Sequence, residues 1–483
     1  MADVVQTKDA VGLAAGSAVD NWSNAMADET TSCVGAPTPD EDPLEVAVER
    51  RLSDGRLGDA GPFTIFRVPA HLREQERTLY EPRLVSVGPY YHGRAELRAM
   101  EQHKWRYLRH LLERAACVPQ HAGKQPLRAL VCAVRAVESR ARGCYSEAID
   151  DVPDFAEMLL LDGCFVLEFF FKWHKGEPDA LRDAGWALVL LHSDLLLMEN
   201  QVPFFVLEAL FHAIFCGRTP RDLLVELLLL YIKPNGALLT QHQSPSSPCP
   251  APAGTIDHLL HLFHEAFVPT PQAAEPPARS PPRVIPGVSA LRDAGVRFVK
   301  KRTPRDMFDI TFDTKRGVLE MPPMAIDQAQ LPLLVNLIAF EQSRGRRTPG
   351  PGGAPLSSYA ALMSSLVRTG KDVEELQAEG IVDNMLSSDD EAATKFFQPL
   401  GDCCSLNYDD HLFAPLFAGV KSYHDNSWHR HRAKFMRDHC SNPWSICAFV
   451  LAVLAFFFSL FNQTVSIYNL AHPQQPPPAT HGQ

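Results

Sequence analysis

The chain has 483 residues, 46% of them hydrophobic, and a formal net charge of -11 at neutral pH. Residues 1–61 hold 12 acidic and 4 basic side chains, so that stretch carries most of the charge and the rest is close to neutral. A near-neutral body presents no large basic field to a phosphate backbone, which argues against a nucleic-acid partner.

Residues 1–61 are rich in acidic, Ala, Gly and Pro residues and poor in aromatics, and they are expected to form a disordered tail. The opening MADVVQTKDAVGLAAGSAVDNW lacks the basic flank and long apolar core of a secretory signal. The 11 cysteines form no C-x-x-C pair and no ladder, which points to free thiols in a reducing compartment.

A helical body is expected over 62–440. RLVSVGPY, from residue 83, reads as a strand. In AELRAMEQHKWRYLRHLLERA, Leu97, Met100, Lys104, Leu108 and Leu111 recur on one helical face, from which Lys104 is expected to snorkel. In PDFAEMLLLDGCFVLEFFFKW the buried face includes Phe155, Met158, Asp162, Phe165 and Phe169, so the Asp162 carboxylate must be paired, hydrogen-bonded or protonated. Gly163 beside it leaves room for a second backbone.

LLLMENQVPFFVLEALF places Glu199, Asn200 and Gln201 just before Pro203, which breaks a helix and suits the first turn of another. Side chains at such a junction can satisfy carbonyls left by one helix and amides left by the next. A Pro-rich insert at about 242–287 brackets a short amphipathic run, DHLLHLFHEAF. VRFVKK, DITF and GVLEM alternate apolar with polar residues and make a small antiparallel β element through the tight segment DTKRG. LPLLVNLIAFEQ sets Asn336, Glu341 and Gln342 on or just beyond a further apolar helix, and RGRRTPGPGGAP follows as a loop. Gly380 is a candidate helix C-cap, and Ser388 with Glu391 a candidate capping box.

PWSICAFVLAVLAFFFSLF, residues 443–461, carries no charge over a length of roughly 28 Å, close to one bilayer core. Arg430, Arg432, Lys434 and Arg437 precede it and no Lys or Arg follows, so the positive-inside rule keeps the body cytosolic. Trp444 and Tyr468 fall near the two interfaces, and Cys440 and Cys447 are candidates for acylation. The expected organisation is a 1–61 tail, a mainly α body over 62–440, one transmembrane helix within 441–470 and a 471–483 tail.

Asp162, Glu199, Asn200, Gln201, Asn336, Glu341 and Gln342 are read as a buried hydrogen-bond network that fixes helix packing. Two rivals remain open, an enzyme using Asp162, Glu199 and Glu341 in acid/base work, and a passive membrane scaffold. No Glu-x-x-His accompanies the acids, and no G-x-S-x-G, H-E-x-x-H, Walker loop or G-x-G-x-x-G is present, so no catalytic residue, metal or cofactor is assigned. The histidines at 424, 429, 431 and 439 do not set three ligands on one face. Two glycosylation sequons, at Asn21 and Asn462, are discounted because the first is expected in the cytosol and the second abuts the bilayer.

In order, IFRVP at 65, LVSVGPYYHG at 84, MEQHKWRYL at 100, EMLLLDGCFVLEFF, LLMENQVPFFVLEALF, LRDAGVRF, NLIAFEQ and NPWSICAFVLAV resemble the plant family called domain of unknown function 247. The resemblance covers about residues 62–470 and implies one extended helical domain with a terminal anchor. It transfers no catalytic residue. Some grass members are associated with self-incompatibility loci, which implies recognition between proteins. The partners expected are therefore membrane lipid, through the last helix, and an unidentified protein.

Overall fold

The computed structural model describes residues 44, 47–50, 63–117, 125–149, 152–215, 220–235, 255–268, 281–327, 330–344, 354–386, 390–402, 406–409, 411–426 and 443–471. The chain divides into two compact units, Met1–Gly61 and Pro62–Gln483. Nearly all of the acidic tail, the Pro-rich pieces on either side of 255–268, Cys440, and Arg430, Arg432, Lys434 and Arg437 lie outside the described residues.

The second unit is mainly α. Its first half comprises α1 (Arg98–Ala116), α2 (Pro126–Arg142), α3 (Phe155–Lys175), α4 (Gly185–Leu195), α5 (Phe204–Ile214), α6 (Pro220–Asn235) and α7 (Leu259–Phe267). From Met158 to Phe170 every residue of α3 is buried, and a helix apolar on all sides must be covered on all sides. It packs against α1, α2, α5 and α6. At Gly163 the close neighbour is the Leu210 side chain of α5 rather than a second backbone.

The second half contains α8 (Gln330–Arg344), α9 (Pro355–Leu366), α10 (Gly370–Ala378), α11 (Asp390–Asp402) and α12 (Ala414–Asp425). Strands β1 (Arg297–Lys300), β2 (Thr311–Asp313) and β3 (Val318–Met321) form one sheet, in the order β1-β3-β2. The β2–β3 hairpin is antiparallel as expected, closing at Gly317 with φ +64, and β1 adds to β3 in parallel. A second small sheet pairs β4 (Met324–Ile326) with β5 (Val382–Asn384) in parallel. Gly380, φ +65, ends α10 as its position suggested. Ser388 of the candidate capping box is outside the described residues.

The run DHLLHLFHEAF is no loose island in a Pro-rich insert. Leu259 to His264 of α7 are buried, and α7 packs on α6 and α8. The last helix, α13 (Pro443–Ala471), contains one stretch, Val450–Tyr468, long and apolar enough to cross a membrane, and none of that stretch is buried.

Candidate functional site: a side-chain clamp and the cleft beside it

Residues 83–88, expected as a strand, bend at 83–84 and at 88 and join no sheet. Buried side chains replace the missing neighbour. Asp194, in the last turn of α4, accepts the backbone amides of Arg83 (3.0 Å), Leu84 (2.7 Å) and Val85 (2.9 Å). Asn200 takes the Val87 amide on Oδ1 (2.7 Å) and donates from Nδ2 to the carbonyls of Val85 (3.0 Å) and Asp194 (2.8 Å). Asp162 accepts the Gly88 amide (2.8 Å). Left unpaired, each of the buried amides of Val85, Val87 and Gly88 would cost about 1–3 kcal/mol, so the clamp replaces a sheet at the scale of single bonds. Burial raises the Asp194 carboxyl to about 6, with the three amides acting against that shift.

Glu199, fully buried, anchors the chain on both sides of that segment. Its Oε1 accepts the Val68 amide (2.8 Å) and Arg73 Nη1 (3.1 Å), and its Oε2 accepts the Tyr91 hydroxyl (2.5 Å). Burial, then the Glu199 charge, push the Tyr91 hydroxyl far above its ordinary value, so Tyr91 is the proton donor. Gln201 donates to the carbonyls of Leu195 (2.8 Å) and Leu197 (2.9 Å) and accepts the Leu260 amide (3.3 Å). The Glu-Asn-Gln block thus joins the α4–α5 break to the 83–88 segment and its flanks and to the start of α7.

Asp162 pairs with Lys104 at 2.6 Å. Lys104 does not snorkel: it is 0% exposed, because its ammonium also reaches Glu101 (2.7 Å) and needs no water. Burial alone would depress the lysine, but Asp162 and Glu101 hold it above its ordinary range and so keep it charged.

Asn336 accepts the Met198 amide (2.8 Å) and donates to the carbonyls of Leu79 (2.7 Å) and Pro332 (2.7 Å), binding α8 to the same junction. Glu341 and Gln342 belong to a separate cluster. Glu341 accepts the amides of Leu356 (3.0 Å) and Ser357 (2.8 Å) at the start of α9 and faces His264 Nε2 (3.2 Å). Gln342 donates to Ser357 Oγ (2.7 Å). The three carboxylates therefore do not share one centre, and each is engaged as an acceptor of backbone amides.

Sequence reasoning missed Asp194 and the histidines of α7. An acid in the last turn of a helix opposes the helix dipole, and that mismatch was the available signal for Asp194. His258, His261 and His264 surround the Phe340 ring with centroids 5.1–5.2 Å away. Among the described residues no group of His, Cys, Asp or Glu is arranged to hold a metal ion. Cys447 and Tyr468 of α13 are exposed, and Trp444 lies in that helix.

Beside the Lys104 pair opens a cleft of about 350 Å³. Ser86, His92, Arg94, Arg98, Glu101, Trp105, Asp154 and Glu157 contribute to its walls. Asp154, with φ 57, is a non-glycine residue in the left-handed region and precedes α3 without capping it.

The model of a family described as "Plant protein of unknown function", DUF247, matches residues 65–458. UPF0481 protein At3g47200 of Arabidopsis thaliana is 26% identical over 86% of this chain and 89% of its own length. Putative UPF0481 protein At3g02645 of the same plant is 23% identical, over 81% of this chain and 88% of its own length. No solved structure matches.

Proposed function

This chain belongs to the DUF247 family of plant proteins, and we propose that it is a single-pass, membrane-anchored protein whose helical body serves recognition between proteins or signalling. The observation that carries the anchor is the Val450–Tyr468 stretch, apolar and with none of it buried, which in water would leave a large apolar surface uncovered. The cationic residues Arg430, Arg432, Lys434 and Arg437 just before the helix favour a cytosolic body. Recognition is supported over catalysis by the use of the buried acids, since Asp162, Glu199 and Glu341 lie in two clusters and hold backbone. Recognition of the self-incompatibility kind is one form this function would take.

The test is fractionation of plant cells expressing the full chain and a chain ending at residue 442, each tagged at the amino terminus. The full chain should stay with carbonate-washed membranes and the shortened one should be soluble. Protease should remove the tag only after permeabilisation. A soluble full chain, or a shortened chain retained on membranes, refutes the anchor. A partner that never saturates the body points to a passive scaffold instead.

A further inference from the structure

The cleft beside Lys104 has an uneven supply of hydrogen-bonding groups. Arg94 is occupied by Glu81 at 2.8 Å and lies over the Tyr91 ring. Glu101 gives one oxygen, Oε1, to Lys104. Ser86 Oγ lies 3.5 Å from the Lys104 ammonium, and the acceptors left without such commitments among the described residues are Asp154 and Glu157. Asp154 stands at the N-cap of α3 and Glu157 three residues on, the spacing of a capping box, yet Asp154 makes no side-chain cap and its backbone is turned out of the usual cap conformation. His92 Nδ1 has no hydrogen-bond partner but is closed off from solvent, so it is not open to an entering group. Trp105, one turn beyond Glu101 on α1, is 52% exposed, unusual for an indole that the core could have covered. Arg98 is the cation of the wall with no ion pair among the described residues.

The wall therefore offers acceptors from two elements, α1 with the loop before it and the start of α3, around an exposed aromatic face. A planar cation with several N–H donors complements that set: its face stacks on indole and its edge reaches the carboxylates. An ammonium would satisfy fewer acceptors, and an anion, while it would find Arg98, would meet three carboxylates, Asp154, Glu157 and Glu101. We propose that this cleft receives an arginine side chain of a partner protein, with Trp105 as the stacking plate and Asp154 and Glu157 as the charge partners. This inference deepens the recognition reading and rests on it for the source of the side chain.

The experiment titrates the purified full chain, in nonionic detergent, with an end-capped tetrapeptide containing one arginine and with the same peptide carrying citrulline, whose urea group is neutral. The arginine peptide should bind saturably, with a Kd on the order of 1 mM or tighter, and the citrulline peptide at least about tenfold more weakly. Trp105→Ala and Glu157→Gln should each weaken binding about fivefold or more while leaving the melting temperature unchanged, because both side chains are exposed. Glu113→Gln removes an exposed charge of α1 away from the cleft and should leave binding as it is. Equal binding of the citrulline peptide, equal weakening by Glu113→Gln, or no saturable binding overturns the proposal. An acidic peptide binding in place of the basic one does so too. Because detergent removes the membrane from the assay, failure here leaves the fractionation result standing.

Discussion

A histidine held neutral inside a protein leaves its proton uptake to the unfolded chain, so acid favours unfolding. His258 accepts the His261 amide on Nδ1 (3.2 Å), and its Nε2 lies 3.2 Å from the Thr64 carbonyl, an arrangement that requires the neutral ring. Burial, then its neighbour His261, lower it from 6.5 to about 3. His192 has both ring nitrogens buried without a partner, beside Tyr231 and Phe263, and burial lowers it to about 4. Both contributions are complete above pH 6.5 and are lost as the pH falls toward about 4 for His192 and about 3 for His258. His192→Leu should accordingly be more stable than wild type, with the difference growing by about 1.4 kcal/mol per pH unit between 6.5 and 4 in urea titrations. A difference that stays constant with pH would refute the assignment. At this scale the sequence revealed demand better than supply. Asp162 on an apolar stripe announced that it needed a partner or a proton, but the partner was Lys104, 58 positions earlier, and nothing local marks that lysine as fully buried. The Glu-Asn-Gln block was legible because Pro203 marks the break, whereas its clients, the amides of 68 and 87, are set by long-range geometry.

At the scale of an element, the 83–88 segment depends on Gly88. Its φ of +86 with ψ of -179 is backbone that essentially only glycine adopts, and an added Cβ would strike the Gln201 carbonyl oxygen. Gly88→Ala should destabilise the body by about 3 kcal/mol or more, as read by thermal melting. Gly93→Ala supplies the control: φ is +78 there, yet an added Cβ meets nothing within 4 Å, so the loss should be about 1 kcal/mol. Equal losses at the two sites would show that space around residue 88 is unimportant. Helical periodicity made α1, α3, α5 and α8 readable, and the DTKRG turn made the β2–β3 hairpin readable, because both signals are local. β1 was readable as a strand, but its parallel pairing with β3 and the core position of α7 were not, since a parallel pair has no turn to announce it and Pro-rich flanks concealed the helix.

For the whole molecule, the boundary between Gly61 and Pro62 makes a prediction about what the fold requires. Removing residues 1–61 should leave the melting temperature of the body within a few degrees of its original value. Removing 63–94 should abolish cooperative melting, because Asp162, Asp194, Glu199 and Asn200 would be left buried without the amides they serve. A cooperative transition in the second variant would show that the segment is dispensable. The overall character, a helical body with a terminal apolar helix, was readable from composition and periodicity, while the assembly of the clamp came from contacts between distant parts of the chain. Those separations also bear on synthesis. Val87 waits for Asn200, 113 residues later, and Leu79 for Asn336, 257 residues later. At a translation rate of about 5–20 residues per second, the first of these delays lasts roughly 5–20 s, before any allowance for the ribosomal tunnel. Throughout that interval the leading edge of the nascent body has no native partner for its amides, so it must remain an open, chaperone-accessible strand until the chain that closes it has been made.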